Sequence, residues 1–269
     1  MVQSGPPRRA VERDPPRYYR CMNCQNGRPL VLALFVLGCV RSAQAAEQHL
    51  VYDLSVEGSP VGTREVTVRY FTRPSGERHV VESYTHIVAP GLTLESRGSG
   101  LSTPGGAQFS SATDQNGARS SVAAQELPGG GWQLTVVGGG KESDRTEPDA
   151  RLSTFDLMDP ARVATLEAGG TFGVVLAETG DVLTGTLETG KPGTVTVGGQ
   201  PVPVSTYTLT GSAGTARFYV TGDGLLVRSE VQWLGLTMLG SLHELPAARD
   251  YGTVETVDGL SGGVKEGDL

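Results

Sequence analysis

Apolar and polar side chains alternate along residues 216–244, and this period of two sets the expected fold class. Alternation of this kind places the apolar side chains on one face of a β-sheet, whereas a helix needs a period near 3.6. A Gly-Asp-Gly sequence at 222–224 separates the first two runs, as expected of a tight hairpin turn. Gly235 separates the second run from the third. The stretch therefore predicts three consecutive antiparallel strands.

The same alternation recurs over most of the chain, with Gly- and Pro-rich turn signals about every 8–12 residues. Further strands are predicted at 49–57, 61–71, 78–88, 92–100, 105–113, 118–127, 132–137, 171–178, 182–188, 194–197 and 202–210. We therefore expect a mainly β protein with one large curved antiparallel sheet, forming a half-barrel or open barrel with one short helix. A two-sheet β-sandwich is the alternative.

One antiparallel β domain is predicted over residues 46–248, followed by a flexible, acidic, Gly-rich tail at 249–269. A connector and a short helix interrupt the domain at 138–170. The connector is expected at 138–150, where the sequence is polar and begins with Gly. Asp159 is a good N-cap and Pro160 suits the first helical position, so a helix is predicted from there to residue 168. A helix this short is expected to dock against the sheet.

The first 45 residues predict a presequence with a signal peptide. An apolar run at 29–40 is too short to span a bilayer, and Ala-Gln-Ala at 43–45 places signal cleavage between Ala45 and Ala46. The preceding 21 residues are too long and too rich in Pro and Arg for such a signal, so Met22 is the expected true start. The protein is therefore predicted to be exported, periplasmic or extracellular, with no transmembrane segment after signal removal.

Lipidation is the alternative to simple cleavage. Val-Leu-Gly-Cys at 36–39 resembles a bacterial lipobox, in which Cys39 would be acylated and become the mature N-terminus. Cys21 and Cys24 also lie in the presequence, so cleavage after Ala45 leaves no cysteine. The exported chain would then depend on its core and sheet for stability, without disulfides.

The charge of the mature chain excludes one class of partner. Beyond residue 45 the chain keeps 15 basic and 27 acidic residues, a formal net charge of −12. This charge argues against nucleic acid and against anionic lipid headgroups as partners.

Motifs that resemble catalytic sites lack the context that they need. Gly-Leu-Ser-Gly-Gly at 259–263 has the spacing of a nucleophile elbow, but only residues 262–269 follow, and none is histidine. The Gly-x4-Gly-Lys sequence at 185–191 is followed by Pro192, where a phosphate-binding loop needs Ser or Thr. We therefore predict no enzyme and no cofactor.

The histidines do not form an obvious metal site either. His79 and His86 are seven residues apart on one strand and so face opposite sides of the sheet. His49 and Asp53 share a face but stand about 13 Å apart along an extended strand, too far for one ion. We predict no metal, and histidines that are solvated or hydrogen-bonded within the protein.

Large apolar side chains suggest one candidate binding surface. Trp132, Phe218, Trp233 and Leu239 are predicted to border an apolar groove on the curved sheet, with plain core packing as the other interpretation. The leading hypothesis is binding of a lipid, another apolar ligand or a lipidated envelope protein. The alternative is a non-catalytic structural or interaction protein with a solid-packed core.

Two motifs carry a resemblance to a known group. The sequences Gly-Ser-Pro-Val-Gly at 58–62 and Gly-Asp-Gly-Leu-Leu-Val-Arg at 222–228 resemble a domain-of-unknown-function family of exported bacterial β proteins. The resemblance covers about residues 48–245 and implies a half-barrel similar to periplasmic lipoprotein carriers, sometimes with a helix against the concave face. The family has no activity to transfer, so no residue inherits a role.

Overall fold

The computed structural model describes residues 45–73, 76–212, 214–233 and 236–247; among these, the side chains of Ala45, Arg73 and Trp233 are left undescribed. The presequence before residue 45, with Cys39 and Met22, and the tail from residue 248 lie outside the described residues. All described residues fall in one compact unit.

The described chain is mostly β-structure. Its strands, in chain order, are β1 (Ala45–Val56), β2 (Ser59–Arg73), β3 (Gly76–Ala89), β4 (Leu92–Thr103), β5 (Gly106–Gln115), β6 (Ala118–Glu126), β7 (Trp132–Gly138), β8 (Lys141–Glu147), β9 (Ala150–Ser153), β10 (Thr171–Val175), β11 (Val182–Thr189), β12 (Gly193–Val197), β13 (Gln200–Gly211), β14 (Gly214–Val220), β15 (Leu226–Trp233) and β16 (Leu236–Leu242). Two short helices, α1 (Thr154–Leu157) and α2 (Pro160–Val163), lie between β9 and β10.

All of these strands join one nearly closed, barrel-like sheet. The strand order is β8-β7-β6-β5-β4-β3-β2-β1-β16-β15-β14-β13-β11-β10-β9, and β12 pairs with β13 beside this path. The edge strands β8 and β9 are joined by only two residues, 148–149. This architecture confirms the single curved sheet, and the sandwich alternative does not form.

The three strands predicted from the alternation at 216–244 are confirmed as β14, β15 and β16. They pair in sequence as antiparallel neighbours, and Val231 lies opposite both Ala216 and Met238. β16 then pairs with β1, with Tyr52 opposite Leu242. The first and last strands of the described chain are therefore hydrogen-bonded neighbours in the middle of the strand order.

The connector predicted at 138–150 is wrong. Residues 139–140 form a turn, and the next seven residues form β8, which pairs with β7. β8 is an edge strand whose side chains are mostly exposed, so it lacks the apolar alternation that reveals a half-buried strand. Charged residues are favoured at such an edge because they discourage pairing with other chains.

The helix prediction is correct at its start and wrong at its end. Asp159 caps α2, with its carboxylate accepting from the amide of Ala161 at 3.1 Å, and Pro160 opens the helix. The helix ends at Val163, not at residue 168. The helix α1 was not predicted. It begins with a capping box, in which Ser153 and Asp156 bond to each other's backbone amides. One-turn helices depend on packing against other elements, and this pair is buried on the sheet.

Residues 153–164, which we call the helical plug, form a crossover between parallel strands. β9 and β10 are parallel neighbours, and parallel strands need such a connection because no tight turn can join them. Residues of the plug belong to two buried apolar clusters. Phe155 and Met158 pack into a cluster that includes residues of β1 to β7, and Leu157 and Val163 pack into one built largely from β9 to β15.

Two glycines of β4 make room for the plug on the sheet face that it covers, which we call the inner face. A methyl group built on Gly100 would lie 2.8 Å from Cβ of Phe155, and one on Gly98 would lie 2.8 Å from the tip of the same ring. Phe155 also packs against Phe109 of β5, with ring centroids 5.5 Å apart. The plug therefore sits in a slot that the small residues of β4 leave open.

We expect Gly100→Ala to lower the free energy of unfolding by about 1–3 kcal/mol, because the added methyl overlaps Phe155 in a packed interior. Gly193→Ala in β12 is the matched control. No atom lies within 4 Å of its added methyl, so its change should stay within about 0.5 kcal/mol. Urea unfolding of both variants measures the difference, and equal stabilities would contradict a close fit of Phe155 against β4.

Candidate functional site

The helical plug is tied to β3 by a buried histidine–carboxylate pair. Nδ1 of His79 lies 2.8 Å from Oδ2 of Asp159, the residue that caps α2. Both side chains are almost fully removed from solvent, with exposed fractions of 10% and 1%. Tyr70 of β2 packs edge-on against the imidazole, with ring centroids 4.9 Å apart.

A second polar cluster ties the plug to β6. Nε of Arg162 donates to Asp156 at 2.9 Å, and its NH2 group donates to Glu126 at 3.0 Å. Asp156 also accepts from the backbone amide and the hydroxyl of Ser153, each at 2.7 Å. Burial raises the pKa of the Asp156 carboxyl, and the Arg162 charge and the Ser153 donors oppose that rise. The guanidinium therefore joins two acidic side chains that would otherwise be poorly solvated.

The turn between β10 and β11, residues 176–181, is bonded to the inner face of strands β2 to β8, which we call the wall. Three inward-facing side chains of the wall make these bonds. Arg64 of β2 forms an ion pair with Glu178. The hydroxyl of Ser111 in β5 donates to the carbonyl of Ala177, and Arg145 of β8 donates to the carbonyl of Gly180. The polar groups of these three side chains are therefore bonded to oxygen atoms of the β10–β11 turn.

Two small pockets lie on the inner face. One pocket of about 10 Å³ lies between β4, β5 and the plug, where Ser102, Ser153 and Asp159 contribute to its lining. A second pocket, also about 10 Å³, lies between β11, β13 and β14. A volume of this size has room for roughly one water molecule.

Two larger depressions open to solvent on either side of Glu126. One, of about 370 Å³, lies beside the β4–β5 turn and includes Arg78. The other, of about 540 Å³, lies beside the end of the plug and includes Arg151, Arg162 and Glu167. Both have mixed polar linings with charges of both signs, so neither has the apolar surface that the predicted groove requires.

Of the side chains predicted to border one groove, those of Trp132, Phe218 and Leu239 are not brought together. Trp132 is 1% exposed and packs against Phe109 in the first apolar cluster, whereas Phe218 belongs to the second. Leu239 follows Met238 by one residue and therefore points to the opposite, outer face. The Cα atom of Trp233 lies opposite Gly214 and Leu236, and its side chain is outside the described part.

A different apolar surface lies at the hairpin ends of β15, β16 and β1. Met238 lies opposite Val231 of β15 and Val56 of β1, and it is 39% exposed. Leu236, two residues earlier on the same face, is 55% exposed. We call these four residues the apolar shelf. It continues a row of buried apolar residues that passes through Ala216 and Leu209.

Each of the four histidines lies near a polar or acidic side chain. His79 is buried against Asp159, whereas His86 lies on the opposite face beside Glu95, and His49 is near Thr67. His243 pairs with Asp53 at 2.8 Å on the surface. Within the ranges that the structure describes, no group of three or more His, Cys, Asp or Glu is arranged to hold a metal ion. No helix there has the length and apolarity to cross a membrane.

The two polar clusters were not predicted from the sequence. The feature that could have indicated them is the placement of Asp156, Asp159 and Arg162 at intervals of three among the apolar residues of one short segment. Residues three apart on a helical segment share a face, so an acid–acid–base set there suggests buried ion pairing. The wall partners His79 and Glu126 are 80 and 36 residues away in sequence and carry no local signal.

No protein-family model matches the sequence, and no curated protein matches it either. Among solved structures, the chain is similar to a β-barrel-like protein of a domain of unknown function, DUF1849, from Brucella abortus. The two are 13% identical, and the match covers 75% of this chain and 98% of that one, with a TM-score of 0.49.

Proposed function

We propose that this is an exported, non-catalytic interaction protein of the cell envelope, whose barrel is filled by its own chain and not by a ligand. The observation that carries the proposal is the position of the helical plug, with Phe155 fitted against Gly98 and Gly100 of the inner wall. A protein with a filled interior offers its outer surface and its rims to partners. Binding then depends on exposed surface and not on an internal cavity.

The polarity of the inner wall supports the same proposal. Ser111, Arg64 and Arg145 point inward and bond to oxygens of the β10–β11 turn. The hydrocarbon part of a lipid has no acceptor atoms, so placed here it would leave such groups buried without partners. Each unpaired buried group costs about 1–3 kcal/mol, and more when it is charged.

The export part of the proposal rests on the presequence. Cleavage between Ala45 and Ala46 would remove only one described residue, and Ala46 already lies in the core as part of β1. The mature chain would therefore keep the whole apolar core. Acylation at Cys39 would add a lipid anchor ahead of the same fold.

The intact mass of the protein, purified from an expressing bacterium under native conditions, tests both parts. We expect the mass of a chain that begins at Ala46 and carries no co-purifying lipid. In a separate binding assay, we expect the purified protein to take up no fluorescent fatty acid. A mass that includes residues 22–38 would contradict export, because both cleavage after Ala45 and acylation at Cys39 remove them. A stoichiometric lipid bound to the mature chain would contradict the filled barrel.

The apolar shelf favours a second candidate function, binding of an apolar ligand or lipidated partner at the barrel rim. Its exposed leucine and methionine lie next to half-buried valines, so they form one patch and not scattered side chains. Leu236→Ser should then abolish any fatty-acid binding that the wild type shows. Val88→Ser is the matched control, because Val88 is equally exposed at 55% but lies on the outer face. Equal loss in both variants would exclude the shelf.

A further inference from the structure

The pair between His79 and Asp159 stands at the point where the helical plug meets the wall. Asp159 is the N-cap of α2 and follows Met158, which packs into the first apolar cluster. The same carboxylate therefore holds the imidazole through Oδ2 and begins a helix through Oδ1. A change in the protonation of the imidazole therefore acts on the carboxylate that positions the plug.

Few other charges compete for this imidazole. Glu77, on the same strand, places its carboxylate 3.7 Å from Nε2 but is largely exposed. β2 contributes Tyr70, whose ring contacts His79 and whose hydroxyl bonds to Gln48. The plug contributes Asp159 and, beyond it, Asp156, whose charge Arg162 and Glu126 share in their own network. The acidic partner at Nδ1 is therefore the closest charge that His79 meets.

We propose that His79 and Asp159 form a pH-dependent latch, which holds the helical plug firmly against the wall in acid and loosens it as the imidazole loses its proton. The latch is a conformational device that acts on the filled interior. It does not depend on which partner the outer surface binds.

The direction of the effect follows from the charges around the imidazole. Burial lowers the pKa of His79, but the hydrogen bond and charge of Asp159, with a smaller contribution from Glu77, outweigh burial and raise it above its ordinary value of 6.5. A group with a raised folded-state pKa contributes its full stability below the unfolded value. That stability is lost as the pH rises from about 6.5 through the folded-state pKa.

Thiol labelling measures the latch, because the chain beyond residue 39 contains no cysteine. Met158→Cys places a thiol at a buried position of the plug, and Ala161→Cys places one at an exposed position of the same segment. The ratio of their labelling rates cancels the pH dependence of thiol ionisation, which both cysteines share once they are exposed. We expect the buried-to-exposed ratio to rise from pH 6 to pH 9, because the plug opens more often once the imidazole has lost its proton.

His79→Gln separates the latch from simple packing, because glutamine keeps a hydrogen bond to Asp159 but does not titrate. The labelling ratio should become independent of pH in this variant. His243→Gln is the control, since His243 also has an acidic partner, Asp53, but lies on the surface. It should retain the wild-type profile. A flat ratio with His79 intact, or an unchanged rise in His79→Gln, would overturn the proposal.

NMR titration of the His79 ring gives a readout that does not need the cysteine variants. We expect its pKa to lie above 6.5 in the wild type and to fall in Asp159→Asn, where only Glu77 still opposes the effect of burial. Asparagine is also a good N-cap, so α2 keeps its start. A pKa at or below the ordinary value in the wild type would rule out the latch.

Discussion

Phe155→Ala should lower the free energy of unfolding by about 3–5 kcal/mol, the range observed when a large buried aromatic side chain is truncated. Phe155 is 5% exposed and lies between two glycines of β4 and the ring of Phe109. The wall cannot close around the lost ring, because the strands on either side are fixed by their own hydrogen bonds. Urea unfolding, followed by circular dichroism, measures the change.

Leu236→Ala is the matched control for this truncation. Leu236 is 55% exposed on the apolar shelf, so the same kind of change there should cost no more than about 0.5 kcal/mol. The Phe155 variant should also gain binding of a small apolar fluorophore, because an apolar cavity inside a protein stays dry and accepts such molecules. If Phe155→Ala is as stable as the control, the plug does not fill the barrel in solution.

Arg162→Met should be comparably destabilising, by about 3–5 kcal/mol, because it leaves a buried carboxylate without its cation. Asp156 is 4% exposed, and Glu126 is 21% exposed, so water replaces the guanidinium poorly at either side chain. Methionine retains most of the apolar volume of the arginine stem, so the loss reports mainly on charge. The free energy of unfolding at neutral pH is the quantity to measure.

Arg119→Met provides the comparison at the surface. Arg119 is 88% exposed in its pair with Asp114, and exposed pairs of this type contribute less than about 1 kcal/mol. A double-mutant cycle between Arg162→Met and Glu126→Gln isolates the link from plug to wall. Additive effects in that cycle would mean that Arg162 stabilises the plug only through Asp156.

The strands were predictable where one side of the sheet is covered. β14 to β16 alternate because their inner side chains meet the plug and the apolar clusters, and this one-sided burial is what a period of two records. β8 escaped prediction because both of its sides are largely exposed. The early end of α2 has a related cause, since Thr165 and Glu167 lie in solvent, beyond the part of the plug that the wall covers.

The candidate site was less predictable than the fold, since its contacts join distant parts of the chain. Nothing in the sequence near His79 indicates a partner at Asp159, and the glycines that admit Phe155 resemble ordinary weak points in a strand. For the same reason Trp132 and Phe218, predicted to share a groove, lie in separate apolar clusters. Strand periodicity assigns Trp132 and Phe218 to a face, but it does not specify which residues oppose each other across a curved sheet.

The strand order has a consequence for how the polypeptide reaches its native state. Residues 45–147 and 150–242 each form a meander of mostly consecutive strands, so most ladders within each half join segments that are close in sequence. The pairing of β1 with β16 is different, since it joins Tyr52 to Leu242 across nearly the whole domain. Contacts of such long range are the slowest to form. Docking of the two meanders along β1 and β16 should therefore be the late, rate-limiting event of folding.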